Sequence, residues 1–326
     1  MKILMLNYIG NSVWLRNELG ILETIGEVTV IGANSIFGYL KKCRKALGYD
    51  IYFSRAGTSL HTVLFAKMFG GKSVIVPGGS DSVGFKEFNY GTFQFPKNMI
   101  TKWVFSQADM VLPVSDRVKD CVLRQSNPKC IWRIYNGIDT EKFKPKGRKK
   151  DMVLLVSGLK PRHWMMKMKG LETFVKCARH YLDIPFILVG EVGVEEDVKH
   201  IKSLAPNNVT LTGLIPQDEL IGYYQQAKVY AHLSFHESFC FALAEAMSCG
   251  CIPIATNRGA LPEIGGEIAG YVGYGDVKET CRAIGTALNG SSMLGRRARS
   301  RVVANFSLEK RREALTEAIL ELMEAR

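Results

Sequence analysis

Short apolar runs rich in β-branched residues recur along this chain, with stretches of helical character between them. In the first half they fall at residues 3–6, 28–31, 51–53, 74–76, 110–113 and 131–134. In the second half they fall at 152–156, 186–189, 209–211, 229–233, 252–255 and 270–272. Apolar strands alternating with helices are what a parallel sheet needs when both of its faces are covered. So many strands overfill one open sheet, and 326 residues suffice for two hydrophobic cores. The pattern therefore predicts an α/β protein of two Rossmann-like, doubly wound domains with about six strands each. The polar stretch 143–150, which holds Pro145 and Gly147, marks the break. The expected domains are 1–145 and 146–306, closed by an amphipathic helix over 307–326 that puts Leu315, Ile319 and Leu322 on one face.

The charge is divided between the two halves. Residues 1–150 hold 23 Lys and Arg against 11 Asp and Glu, whereas residues 151–326 hold 20 of each. The whole net charge of +12 thus belongs to the first half, including the run 41–45 and the segment 142–150. Such a half is suited to an anionic partner, whether a lipid surface, an acidic glycan or a nucleic acid. No apolar run approaches the roughly 20 residues of a membrane span. The first strand is too short for a signal-peptide core. The eight cysteines show no C-x2-C pair, so they read as reduced, mostly buried thiols rather than zinc ligands. These features point to a cytoplasmic protein, peripheral on the inner face of the cell membrane.

One segment carries the chemistry. Glu237 and Glu245 lie eight residues apart, the first in a loop after the 229–233 strand and the second inside the following helix. Were the whole interval helical, the two carboxylates would stand roughly 12 Å apart along the axis. That is about the distance between the sugar and the ribose of a diphosphate-linked pair, and a helix N-terminus between them suits an anion.

The chain resembles the GT-B glycosyltransferases, specifically retaining family 4, also called glycosyl transferases group 1. The likeness rests on the block from Glu237 through Glu245 to Gly259-Ala260-Leu261-Pro262-Glu263. It rests also on Asn136-Gly137-Ile138-Asp139 with Phe143-Lys144-Pro145, and on Lys169-Gly170-Leu171. The resemblance implies two domains facing across a cleft, with the C-terminal helix returning to the first. By the same likeness Glu237 would bond a donor-sugar hydroxyl and Glu245 the ribose hydroxyls, a role that suits acceptor-only carboxylates. Backbone N–H groups of Phe239, Cys240 and Phe241 would meet the diphosphate, and Ser238 would lie in the same donor pocket. Gly158, Gly190 and Leu214 would line the same pocket. Lys169 would neutralise the leaving phosphate.

Several positions depart from the family pattern. Cys240 and Ser238 stand where relatives usually carry smaller residues, so the sugar cannot be carried over. The Arg that usually precedes the lysine loop is absent, and Arg162 is the candidate replacement; a solvated loop arginine is the competing reading. Trp164, Met165, Met166 and Met168 suggest either an apolar lip or a buried loop anchor. In the first domain Gly10, Gly79, Asp81 and Asn136 are the candidate acceptor or cleft residues; for Asp81 a turn-capping role competes. Relatives often place a His where this chain has Gly78-Gly79. There is no Asp-x-Asp motif, and no metal or other cofactor is expected, because cations and a helix dipole can stabilise a departing diphosphate.

The sequence thus reads as a retaining glycosyltransferase, with a nucleotide-sugar donor and a glycan or lipid acceptor at an anionic membrane surface. The rivals are a sugar-nucleotide epimerase or phosphorylase on the same fold, and a basic nucleic-acid-binding protein. Against the last, the chain has no zinc-finger spacing and no RNP-like aromatic motif.

Overall fold

The computed structural model describes residues 1–7, 13–32, 43–55, 59–91, 94–158, 162 and 164–325. It divides into two compact units, one comprising Met1–Gly137 with Leu308–Arg326 and the other Ile138–Ser307. The division thus falls after Gly137, earlier than the polar stretch at 143–150.

The first unit is built on strands β1 (Lys2–Asn7), β2 (Glu27–Gly32), β3 (Ile51–Ser54) and β4 (Lys72–Ile75). A small antiparallel hairpin, β5 (Gly84–Phe85) and β6 (Tyr90–Gly91), precedes β7 (Met110–Val111). The main sheet is parallel in the order β2-β1-β3-β4-β7. The sixth strand expected at 131–134 does not form. Instead Trp132 N–H donates to Val111 O (3.1 Å) and Ile134 N–H to Pro113 O (2.9 Å), which leaves a single bridge. The cause is visible on the partner side: β7 is only two residues long, and Pro113 has no N–H to continue the ladder.

The second unit holds β8 (Lys150–Val156), β9 (Phe186–Val189), β10 (Val209–Gly213), β11 (Ala227–His232), β12 (Ile252–Thr256) and β13 (Gly270–Val272). All pair in parallel in the order β10-β9-β8-β11-β12-β13. The chain winds outward from β8 to β10 and then returns to β11 on the other side of β8. The carboxyl ends of β8 and β11 therefore flank a crevice, where doubly wound sheets hold their ligands. Val153, Leu155, Phe186, Leu188, Val229 and Ala231 form its core with Phe174 and Ile254.

The closing helix Leu308–Glu324 belongs to the first unit and buries Leu315, Ile319 and Leu322. Each such side chain contributes about 1.5–3 kcal/mol by leaving water. The helix also buries a charge. Arg311 donates from Nε and Nη2 to the two oxygens of Glu18, 2.7 Å each, and from Nη1 to Tyr135 O at 2.7 Å. Arg55 Nη1 reaches the same carboxylate at 3.2 Å. Among the described residues, no helix is long and apolar enough to cross a membrane.

Candidate functional site

Two glycines bring the lysine loop and the first carboxylate together. Gly170 has φ 65°, and a Cβ there would lie 2.3 Å from Leu233 O, so only glycine lets this loop lie against the end of β11. Phe235 N–H then donates to Met168 O at 2.7 Å. Gly259 has φ 59°, and a Cβ would fall 2.4 Å from Glu237 O. Ala260 N–H donates to that oxygen at 2.9 Å, fixing the backbone of Glu237 from the β12 side.

Held in this way, Lys169 Nζ donates to Glu237 Oε1 at 2.5 Å. His232, the last residue of β11, stands on the same oxygen through Nε2 at 2.8 Å. Tyr230 OH lies 3.1 Å from His232 Nδ1. The network assigns the proton to Nε2, so that Tyr230 donates to Nδ1 and the imidazole donates to Glu237. Ser234 Oγ and Cys240 Sγ also approach Nε2, at 3.0 and 3.2 Å.

The electrostatics follow from burial set against pairing. Burial favours a neutral Glu237, but Lys169 and His232 outweigh it and hold the carboxyl well below its usual range. Burial likewise works against a charged Lys169, and Glu237 outweighs it, so that pKa is raised. His232 is lowered by burial, which Glu237 only partly offsets. The result is a carboxylate, an ammonium and a neutral imidazole in one crevice.

Glu245 lies one turn into the helix Phe241–Ser248, eight residues after Glu237. Tyr224 OH donates to its Oε2 at 3.2 Å. Burial raises its pKa to about 7, against the smaller opposing effects of Tyr224 and Lys142. The helix begins only after Cys240, which caps it at φ 77° and ψ 78°. The interval between the two carboxylates is therefore part loop and part helix.

The remaining donor candidates lie at the same edge of the sheet. Gly158 follows β8, Gly190 follows β9 and Leu214 follows β10. Glu191 N–H donates to Gly158 O at 2.9 Å and Gly190 N–H to Gly213 O at 2.8 Å, knitting the three loops together. Ser238, Phe239 and Phe241 lie between the carboxylates, and Phe239 stacks edge-on against Phe241 at 5.3 Å. Arg162 is exposed, and its carbonyl accepts from Met165 N–H at 2.9 Å. Met165, Met166 and Met168 are buried, which makes the segment a loop anchor and not an apolar lip.

In the first unit, Asp81 accepts from Gly78 N–H at 3.0 Å and Gly79 N–H at 2.8 Å, so it caps the turn after β4. Asn136 is buried and its Oδ1 accepts from Arg55 Nη2 at 2.8 Å. Gly10 lies outside the described residues.

Sequence reading missed His232, Tyr230 and Tyr224. For two of them the signal was available: Tyr230 and His232 lie on one face of a strand that ends five residues before Glu237. His232 Nε2, a Glu237 oxygen and Cys240 Sγ lie within 4.8 Å of one another, a donor set of zinc type rather than magnesium type. Lys169 already neutralises the carboxylate of that set.

Comparison with known proteins gives a consistent picture. Residues 139–299 match the glycosyl transferases group 1 family. An uncharacterized glycosyltransferase of Methanocaldococcus jannaschii is 30% identical over 70% of this chain and 62% of its own length. The N-acetylgalactosamine-N,N'-diacetylbacillosaminyl-diphospho-undecaprenol 4-alpha-N-acetylgalactosaminyltransferase of Campylobacter jejuni is 28% identical over 68% of this chain and 60% of its own length. The chain thus spans less than two thirds of the curated relatives it matches. The Anabaena HepE protein, solved in complex with UDP, superposes with a TM-score of 0.81 over 98% of this chain and 100% of its own, at 17% identity. That likeness is one of fold.

Proposed function

The chain belongs, through residues 139–299, to the glycosyl transferases group 1 family and has the GT-B fold, and on that premise we propose that it is a retaining glycosyltransferase using a nucleoside diphosphate sugar. The observation that carries this reading is the joint placement of Glu237, Lys169 and Glu245 at the switch point between β8 and β11. Glu237 and Glu245 would hold the hydroxyls of the donor sugar and the ribose. Negative charge grows on the β-phosphate as the glycosidic bond breaks, and Lys169 with the N-terminus of the helix Phe241–Ser248 would stabilise it. His232 would position Glu237. Same-face attack lets the departing phosphate take the acceptor proton, so no protein base is assigned. A divalent metal is not required in this scheme.

The acceptor we propose is a glycan or lipid hydroxyl presented at an anionic membrane surface. Two observations support it: the Campylobacter relative is named for a diphospho-undecaprenol acceptor, and the net positive charge is confined to residues 1–150. The test is sugar transfer from UDP-, GDP- and ADP-sugars to lipid-linked acceptors, with Glu245→Ala as the control. Unchanged affinity of that variant for every nucleotide would sink the donor assignment. Co-sedimentation with anionic but not neutral vesicles, lost at high salt, tests the membrane part separately.

A further inference from the structure

We propose that a cavity of about 640 Å³ in the second unit, edged by Arg148 and Arg296, is a second anion site that takes a phosphate-bearing ligand. Its place in the fold separates it from the crevice described above. Lys149 immediately precedes β8, Lys228 is the second residue of β11, and Ile252 opens β12, and all three line the cavity. It therefore lies at the amino ends of the strands, whereas Lys169 and Glu237 follow their carboxyl ends. A diphosphate held by Lys169 cannot also occupy it.

The charges of the cavity are arranged as a binding site needs them. Arg148, Lys149, Lys228, Arg296 and Arg299 line it, and among the lining residues Asp151 is the one acid. Asp151 pairs with Lys228 at 3.2 Å. Two further cations are held rigidly, but by neutral groups. Lys149 Nζ donates to Tyr224 O at 2.6 Å, and Arg299 Nη1 donates to Ser248 O at 2.9 Å and Phe143 O at 3.1 Å. A carbonyl fixes such a side chain without cancelling its charge, so the field into the cavity persists. Arg148 and Arg296 are exposed at the mouth, and Arg296 Nη1 is steadied by Ser292 Oγ at 3.2 Å. Guanidinium groups bind phosphate oxygens in pairs of parallel bonds. The volume falls within the roughly 300–1,000 Å³ typical of small-molecule pockets. The basic segment 142–150, which the donor chemistry leaves unused, thereby acquires a role.

The experiment is calorimetric titration of the full chain with inorganic pyrophosphate at low ionic strength. The Arg148→Ser/Arg296→Ser double variant should bind at least about tenfold more weakly, because it loses charge-assisted bonds. Its melting temperature should be unchanged, since both side chains are exposed. Lys169→Ala, altered in the other crevice, should keep this binding event. A parallel arm with phosphatidylglycerol vesicles identifies the source: vesicle binding that depends on Arg148 and Arg296 assigns the phosphate to a lipid headgroup, and pyrophosphate binding alone assigns it to a soluble ligand. The proposal is overturned if neither probe binds, if the double variant binds as the parent does, or if Lys169→Ala abolishes the binding.

Discussion

Lys169 Nζ and Glu237 Oε1 are 2.5 Å apart, so the cation we propose for a phosphate is already neutralised by the carboxylate we propose for a sugar. Both side chains are largely buried, at 18% and 15% exposure. Removing one therefore strands the other. Lys169→Met should cost about 3–5 kcal/mol of stability, and Lys169→Met/Glu237→Leu distinctly less, because the desolvated charge leaves with its partner. Urea unfolding midpoints of the two variants provide the comparison. Equal destabilisation would show that removing the stranded carboxylate brings no relief, so that burial of an unpaired charge is not what Lys169→Met costs. In transfer assays Lys169→Ala should lower kcat by about 100-fold or more, the usual scale for losing a charge that meets a developing anion.

Glu245 predicts a pH dependence. Burial lifts its pKa from an ordinary 4.5 to about 7, so at neutral pH much of the empty site carries a protonated acid. In the role proposed for it, a Glu245 carboxylate accepts two ribose hydroxyls better than the acid does, so affinity for the nucleoside diphosphate should rise as pH rises through about 7. The stability effect has the opposite sign. The folded state holds the proton more tightly than the unfolded chain, so the benefit is full below pH 4.5 and is lost as pH climbs through about 7. Glu245→Gln should flatten both profiles. Titrations of whichever of UDP, GDP and ADP binds, from acid to mildly alkaline pH, test it, and a step that persists in the variant would assign the titration to another group.

How far the sequence discloses this protein depends on whether the signal is local. All six strands of the second sheet were legible, because each holds a short apolar or β-branched run with helical sequence nearby. The strand at 131–134 was over-read, since its composition cannot reveal that its neighbour β7 stops at Val111 before Pro113. Glu237, Glu245 and Lys169 were found as a motif, but their mutual geometry was not, because Gly170 and Gly259 act through Leu233 and Glu237 across long sequence separations. The ion pair of Arg311 was hidden for the same reason. Arg311 stands four residues before Leu315, on the face that the helix pattern buries, but its partner Glu18 lies almost the whole chain away and nothing local names it.

That buried cluster gives a ranking of variants. Glu18 carries two guanidinium groups, Arg311 and Arg55, and is 1% exposed while they are 3% and 8% exposed. Burial raises its pKa, but the two arginines outweigh this and lower it. Glu18→Gln takes the shared counter-charge from both cations, leaving Arg55 only the weaker influence of Asp81, and should cost about 3–5 kcal/mol. Arg311→Met leaves Glu18 paired with Arg55 and should cost less, about 1–3 kcal/mol for the lost charge-assisted bonds. Because the folded pKa is depressed, the stabilisation is present above the unfolded value of 4.5 and is lost as pH falls below it. Denaturant titrations at neutral and acid pH separate the two variants. A negligible loss in both variants would mean that the helix Leu308–Glu324 is held by its apolar face alone.

Cys240 is the position where backbone and pocket make opposing demands. Its φ of 77° lies in the left-handed region, which costs a residue with a Cβ about 1–2 kcal/mol. Cys240→Gly removes that cost, and the protein should gain up to about 1 kcal/mol after the extra entropy of an unfolded glycine is subtracted. Cys240→Val should lose more than the parent ever stored, since a β-branched side chain fits this conformation worst. The thiol has its own role: it lies 3.2 Å from His232 Nε2, and burial keeps it protonated by pushing its pKa well above the usual range. Taking it away frees space beside Glu237, where the donor sugar would lie. The glycine variant should therefore melt higher yet discriminate less between sugars, read as a narrower spread of kcat/KM across a panel of nucleotide sugars that share the accepted base. If Cys240→Gly melted lower and kept the parent's selectivity, the thiol's contact with His232 would be structural and the sugar pocket would lie elsewhere along the helix.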